Sequence, residues 1–283
     1  MIYLITGVTG NVGSLVAERL IARGDRPRIF VRDADKARAC FGDRVDIFTG
    51  DLAEAKTLTP ALAGADALFL VNSGPLLAAL DELAAKNAKA AGVKHLVKLS
   101  SYDAREQNVG TGVWHSAGET AIRTSGIPFT FVQPSGFMTN ALYWASSIKA
   151  AGIVRTATGD GQIPFIHPVD IAEVAVKALT EPEYAGQSLP ITGPEALSYA
   201  DMTAKIGVAI GKALRFQAIS DAEARAQQIA WNAPPPLVEA RLSIFRAIRE
   251  GRLATMADMV ERVLGRQPIT FDQWARENVQ AFQ

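Results

Sequence analysis

A single cysteine, Cys40, stands in the chain of 283 residues, so no disulfide can close within it and no cysteine-based zinc site can form. Histidine is nearly as scarce: His95, His115 and His167 are scattered without metal-ligand spacing, and no metal is expected. Neither sign of charge dominates. Lys plus Arg number 29 and Asp plus Glu number 29, a balance that leaves no electrostatic footprint for nucleic acid or an anionic membrane. Long hydrophobic runs are missing too. The stretch Ala67 to Val71 is broken by Asn72, far short of the roughly 20 residues that a membrane span needs. The opening Met1-Ile2-Tyr3-Leu4-Ile5-Thr6-Gly7 reads as a strand entering a turn, with no basic segment ahead of it. A signal peptide is therefore not expected, and the expected compartment is the cytoplasm. These exclusions leave a small molecule as the expected partner, with the chain a monomer or homodimer.

What is present is a strong alternation. Short aliphatic runs at Ile2–Thr6, Arg28–Arg32, Val45–Thr49, Ala67–Asn72, His95–Ser100 and Phe129–Gln133 predict strands. Amphipathic stretches at Val12–Arg23, Ala53–Leu62, Leu76–Ala91 and Gly112–Ser125 predict helices between them. Strand and helix in this rhythm imply right-handed crossovers and a parallel sheet covered on both faces. The expected fold class is therefore α/β: a doubly wound Rossmann-type sheet with a smaller, mostly helical C-terminal region capping the ligand crevice. The expected division is a core of residues 1–135, rejoined at about 153–193 by strands at Ile153–Thr156 and Ser188–Ile191 and a helix at about Val169–Leu179. Residues 136–152 and 194–283 form the expected cap. It holds helices at Tyr199–Ile210, Asp221–Ile229, Leu237–Arg249 and Phe271–Gln280, with Ala233-Pro234-Pro235-Pro236 as a stiff corner.

Gly7-Val8-Thr9-Gly10-Asn11-Val12-Gly13 follows the first strand and opens the first helix. The first glycine permits a tight turn, the second lets backbone approach a pyrophosphate, and the third lets helix pack on strand. The helix N-terminus then offers free N–H groups and a positive dipole end. Gly7, Thr9, Gly10, Asn11, Val12 and Gly13 are thus expected to hold a dinucleotide. Where NAD binders carry Asp or Glu at the end of the second strand, this chain has Val31-Arg32-Asp33 with Lys36 nearby. Arg32 and Lys36 suit a ribose 2′-phosphate, so NADP(H) is expected ahead of NAD(H). Asp33 can pair with Arg32 or contact the ribose. In Gly50-Asp51-Leu52, Asp51 can accept from the adenine amino group, with Leu52 beside it, or cap a helix starting near Ala53. Asn72-Ser73-Gly74 closes the fourth strand, where open α/β sheets meet their ligands.

Taken together these segments resemble the NmrA-like branch of the atypical short-chain dehydrogenase/reductases, which includes triphenylmethane-dye and NADPH-dependent quinone reductases. Further parts of the likeness are Ala91-Gly92-Val93-Lys94-His95-Leu96-Val97, Trp114-His115 with Glu119, Gly126-Ile127-Pro128-Phe129-Thr130, Asp170-Ile171-Ala172 and Phe271-Asp272-Gln273-Trp274-Ala275-Arg276-Glu277-Asn278. One departure from conventional short-chain dehydrogenases stands out. Their Tyr-x-x-x-Lys pair is missing: Tyr102 is followed by Glu106, and Tyr143 by Ser147.

The resemblance implies that His115 and Glu119, one helical turn apart, occupy that place. His115 then either donates a proton or hydrogen bond to a reduced oxygen or merely orders the site. Ser100 and Pro134 are expected beside the nicotinamide. Phe137, Asn140, Tyr143 and Trp144 are candidate pocket walls, an aromatic group that suits a flat conjugated substrate or serves as ordinary core. The implied activity is hydride transfer from NADPH to a flat, electron-poor acceptor such as a quinone, dye or enone. The alternatives are a non-catalytic NADP(H)-binding redox sensor and an isomerase-like relative that uses the cofactor transiently.

Overall fold

The computed structural model describes residues 1–106 and 108–283. Tyr3–Thr6 forms β1, buried along its whole length. In chain order there follow α1 (Gly13–Ala22), β2 (Arg28–Val31), α2 (Ala34–Phe41), β3 (Asp46–Thr49), α3 (Ala55–Leu62), β4 (Ala67–Leu70), α4 (Leu77–Ala90), β5 (His95–Leu99), α5 (Gly112–Ser125) and β6 (Phe129–Pro134). The remaining elements are α6 (Ala145–Ala151), β7 (Ile153–Thr156), β8 (Gln162–Ile163), α7 (Pro168–Thr180), β9 (Ser188–Ile191), β10 (Leu197–Ser198), α8 (Tyr199–Ile210) and β11 (Arg215–Ala218). Helices α9 (Asp221–Ala230), α10 (Pro235–Arg249), α11 (Met259–Leu264), α12 (Phe271–Glu277) and α13 (Val279–Phe282) close the chain.

Seven strands make one parallel sheet in the order β3-β2-β1-β4-β5-β6-β9. Both faces are covered, so successive residues of one strand serve opposite sides. In β1, Tyr3 and Ile5 join the cluster under α1 and α7, whereas Leu4 joins the cluster under α3, α4 and α5. This is why these strands read as continuous apolar runs rather than alternating ones. The order reverses between β1 and β4, and the crevice of a doubly wound sheet lies at that switch point. The Thr6 hydroxyl fastens β1 to β4 there, accepting from the Val71 N–H at 2.7 Å.

Several boundaries differ from the sequence expectation. Ile153–Thr156 is a strand, but it pairs in parallel with β11, and Val154 packs among cap residues. The chain therefore returns to the sheet with α7 rather than at 153. Val260 and Val263 of α11, late in the chain, pack back into the core cluster with residues of α7 and β9. Helix α2 is an element that the sequence pattern does not announce. Asp33 caps it by accepting from Lys36 N–H at 2.9 Å, and no ion pair joins Asp33 to Arg32 among the described residues. Helix α3 begins at Ala55, not near Ala53, and Asp51 instead closes a turn by accepting from the Ala53 N–H at 2.9 Å. The last predicted helix divides at Asn278, whose side chain donates to the Trp274 carbonyl. Helix α10 starts at Pro235, two residues ahead of expectation, because proline fits a first helical turn.

Candidate active site

The glycine turn is built from two glycines that hold the fold and one that leaves room. A Cβ on Gly7, where φ is +66°, would stand 2.8 Å from the Cβ of Val71. A Cβ on Gly13 would stand 2.3 Å from the Gly7 carbonyl oxygen, so only glycine lets α1 approach the turn. Gly10 is different: it is exposed, its φ is not positive, and a Cβ there would meet only that same oxygen at 3.3 Å. The open space above Gly10 is what a pyrophosphate needs. Val12 precedes α1 with no side-chain cap, and the first turn carries no acidic residue. The orphan N–H groups and dipole end are therefore left to an anion.

Beyond β2, the guanidinium of Arg32 and the ammonium of Lys36 are exposed and have no carboxylate partner among the described residues. The dinucleotide region reaches the cap through Asn11, whose side chain donates to Thr139 Oγ1 at 3.3 Å. Leu52 is partly buried against the core beneath this region.

At the C-terminal ends of β4, β5 and β6 opens a cleft of ≈ 460 Å³. Asn72, Ser73, Gly74, Ser100, His115, Pro134, Phe137 and Asn140 all line it. Thr9, Arg32, Lys36, Asp51 and Leu52 do not, which fits an extended ligand lying across the strand ends rather than in one hole. Tyr143 and Trp144 do not line the cleft either. They face a smaller adjoining cavity of ≈ 240 Å³, Tyr143 being 62% exposed and Trp144 buried. Sequence reasoning missed Tyr102, Asp103, Thr111 and Tyr199 on the cleft wall. Tyr199 sits at the start of α8 behind a Ser198/Asp201 capping box, which marks a helix start but not which way that helix faces.

Glu119 finds its partners in side chains other than His115. Its carboxylate accepts from Ser100 Oγ at 2.5 Å and Gln133 Nε2 at 2.7 Å, and lies 3.5 Å from Arg123. The two residues share a helix face, yet the carboxylate is held against the ends of β5 and β6, behind the cleft wall. No hydrogen bond joins His115 to Glu119 among the described residues, and Glu119 fixes Ser100 and Gln133. Beneath them, Lys98 Nζ meets Asp81 Oδ2 at 2.5 Å with both side chains fully buried. Asn72 Nδ2 donates to Asp81 Oδ1 at 2.5 Å. Gly118 must be glycine here, since a Cβ would lie 2.1 Å from Asp81 Oδ2.

The electrostatics of the cleft disfavour His115 as an acid. Burial, reinforced by the charge of Lys98, pushes the His115 imidazole down to about 3, so it is neutral near pH 7. Burial pushes the phenol of Tyr199 up, away from easy ionisation. Burial also raises Asp103, whose Oδ2 accepts from the Gly112 N–H at 3.1 Å. Asn72 Oδ1 and His115 Nδ1 are buried without hydrogen-bond partners among the described residues. Both line the cleft, where a bound ligand can supply what they lack. Among the described residues there is no group of His, Cys, Asp and Glu able to hold a metal, and no helix is long and apolar enough to cross a membrane.

Similar proteins share both the sequence and the fold. The NAD(P)H-binding family matches residues 7–182, from the glycine turn to the end of α7. A (4-alkanoyl-5-oxo-2,5-dihydrofuran-3-yl)methyl phosphate reductase of Streptomyces griseus is 38% identical over 281 residues, spanning 99% of this chain and 98% of its own. An NAD(P)H azoreductase of Xenophilus azovorans is 36% identical over 284 residues, spanning 99% and 98%. Among solved structures, the NADPH-dependent quinone oxidoreductase of Escherichia coli complexed with NADPH superposes with a TM-score of 0.88 at 25% identity, over 98% of this chain and 99% of that one. The triphenylmethane reductase of Citrobacter sp. shares the fold with a TM-score of 0.87 at 23% identity, over 99% of both chains. The chain belongs to the NAD(P)H-binding family, as an oxidoreductase of the atypical short-chain dehydrogenase type.

Proposed function

We propose that this protein is an NADPH-dependent reductase of flat, electron-poor small molecules of the quinone, azo or enone type. The observation that carries the reading is a roomy, largely apolar cleft beside a dinucleotide turn, in which burial keeps His115 neutral and Tyr199 from ionising. When bound, NADPH supplies a hydride at its nicotinamide. An acceptor that is already electrophilic needs little acid assistance, which accords with a neutral His115 and an unactivated Tyr199. The names of the two relatives that share more than a third of this sequence, a furanone phosphate reductase and an azoreductase, support the same class of acceptor.

The residues act by binding, orienting and excluding water. Gly10, Asn11 and the start of α1 hold the pyrophosphate, while Arg32 and Lys36 hold the 2′-phosphate and favour NADPH over NADH. Asn72, Ser73 and Gly74 approach the nicotinamide ribose, and Ser100 and Pro134 flank the ring. Glu119 keeps Ser100 in place as a positioning residue. Phe137 and Tyr199 form an aromatic wall for a planar acceptor. Neutral His115 stands ready to hydrogen-bond an acceptor heteroatom through one ring nitrogen. A steady-state screen of NADPH and NADH oxidation against quinones, azo compounds and enones tests the reading. Turnover with at least one class, faster with NADPH, is the expected result. Cofactor binding without turnover of any of them would contradict it.

A further inference from the structure

The smaller cavity has a composition that hydride transfer alone does not explain. It shares Thr111, Asn140, Tyr199 and Ile244 with the large cleft, so the two cavities adjoin at these four side chains. Trp144 tilts against Tyr199 with ring centres 5.3 Å apart, and Tyr143 and Trp231 extend the aromatic lining into the cap. Its charge is one-sided. Arg155 and Arg241 line it, and no aspartate or glutamate does among the described residues.

The two arginines are not equivalent. Arg155 lies 3.4 Å from Glu223 in a pair whose side chains are 45% and 53% exposed, a weak interaction that solvent screens. Arg241 has no carboxylate partner among the described residues. It donates to Gln228 Oε1 at 2.5 Å, and its guanidinium lies 5.7 Å from the ring centre of Tyr143. Gln228 is 4% exposed, so a buried neutral amide and an aromatic ring orient this cation without neutralising it. A planar guanidinium held in that way is suited to a phosphate, sulfonate or carboxylate.

We propose that this chamber is a second substrate subsite, binding an anionic group carried on the tail of an acceptor whose electron-poor ring occupies the large cleft. The inference rests on the reductase reading for the position of the ring and goes beyond it in fixing the charge of the tail. Cationic acceptors meet the same arginines with the wrong sign.

The test uses 1-naphthyl phosphate and its neutral counterpart 1-naphthol as probes. Both are titrated into protein saturated with NADP⁺, so that the dinucleotide's own phosphate sites are filled. Quenching of tryptophan fluorescence reads occupancy, because Trp144 and Trp231 line the chamber. The expected result is about tenfold or greater preference for the phosphate, lost in Arg241→Gln while NADP⁺ affinity stays unchanged. In the unaltered protein that preference should shrink between about 0.05 and 0.5 M salt, a reading that needs no variant. Equal affinity for the two probes overturns the proposal, as does a preference that persists in folded Arg241→Gln. Binding is measured whether or not any acceptor is reduced. A naphthyl phosphate preference without turnover would therefore support the anion subsite while removing the reductase reading.

Discussion

Nζ of Lys98 stands 2.5 Å from Oδ2 of Asp81, and neither side chain has any solvent exposure. A lysine thus lies directly behind the cleft, but it is tied to α4 rather than free to activate a phenol. Burial opposes charge on each partner, lowering Lys98 and raising Asp81, so each depends on the other. Lys98→Met should destabilise the protein by about 3–5 kcal/mol, because it strands Asp81 unpaired in the interior. Lys98→Met combined with Asp81→Leu should recover much of that loss. Urea denaturation of the two single variants and the double variant measures the coupling. Additive losses would show that the pair does not act as a unit.

The neutral state of His115 has consequences for pH. Its imidazole is pushed from 6.5 to about 3 in the folded protein. Between those values the unfolded chain binds a proton that the folded chain refuses. The contribution to stability is therefore full above about 6.5 and is lost as pH falls toward about 3. His115→Gln should weaken this acid sensitivity, seen as a smaller drop in urea midpoint between about pH 7 and pH 5. In kinetics, an imidazolium donor would make kcat/KM fall as pH rises through about 6.5. The neutral imidazole predicts no such fall attributable to His115, and His115→Gln should not alter the profile.

The glycine turn separates folding from binding. Gly13→Ala should cost stability, since its Cβ would fall 2.3 Å from a backbone oxygen. Gly10→Ala meets only a 3.3 Å contact and should fold with a melting temperature close to that of the parent. It should nonetheless weaken NADP(H) by about tenfold or more, because the methyl occupies the approach of the pyrophosphate. Thermal melts and calorimetric titration, run on both variants, distinguish the two effects.

Cofactor choice is tested at Arg32, which is exposed and uncompensated at the end of β2. Arg32→Ala should weaken NADPH by about 1.5–3 kcal/mol, the range for a hydrogen bond to a charged group, and leave NADH nearly unaffected. Equal losses for both cofactors in a fluorescence titration would remove the 2′-phosphate from the account.

The parts legible in the sequence were those in which local pattern and tertiary position coincide. Gly7, Gly10 and Gly13 follow a strand and open a helix, and Asn72, Ser73 and Gly74 end another strand, so chain order alone brought them to the same edge of the sheet. Helix α2 was hidden because Asp33 is as suitable for capping as for binding, and eight residues give a weak periodic signal. Spacing placed His115 and Glu119 on one face but could not show that Ser100 and Gln133 capture the carboxylate. The Lys98–Asp81 pair joins a strand to a helix with no shared period, and Ala-rich α4 gave no sign of a buried charge. Arg241 and Trp231 were invisible as site residues, since the cap's cavities arise only when α9 and α10 fold over α8 and the loop after β6.

The stereochemical fate of the nicotinamide hydrogen tests hydride transfer most directly. The two C4-deuterated epimers of NADPH are to be compared with an enone acceptor, following the label by mass spectrometry. Direct hydride transfer predicts that one epimer delivers deuterium to the β-carbon of the product and slows kcat/KM, while the other does neither. Oxidation with the label released to water from either epimer, or no oxidation at all, would contradict it.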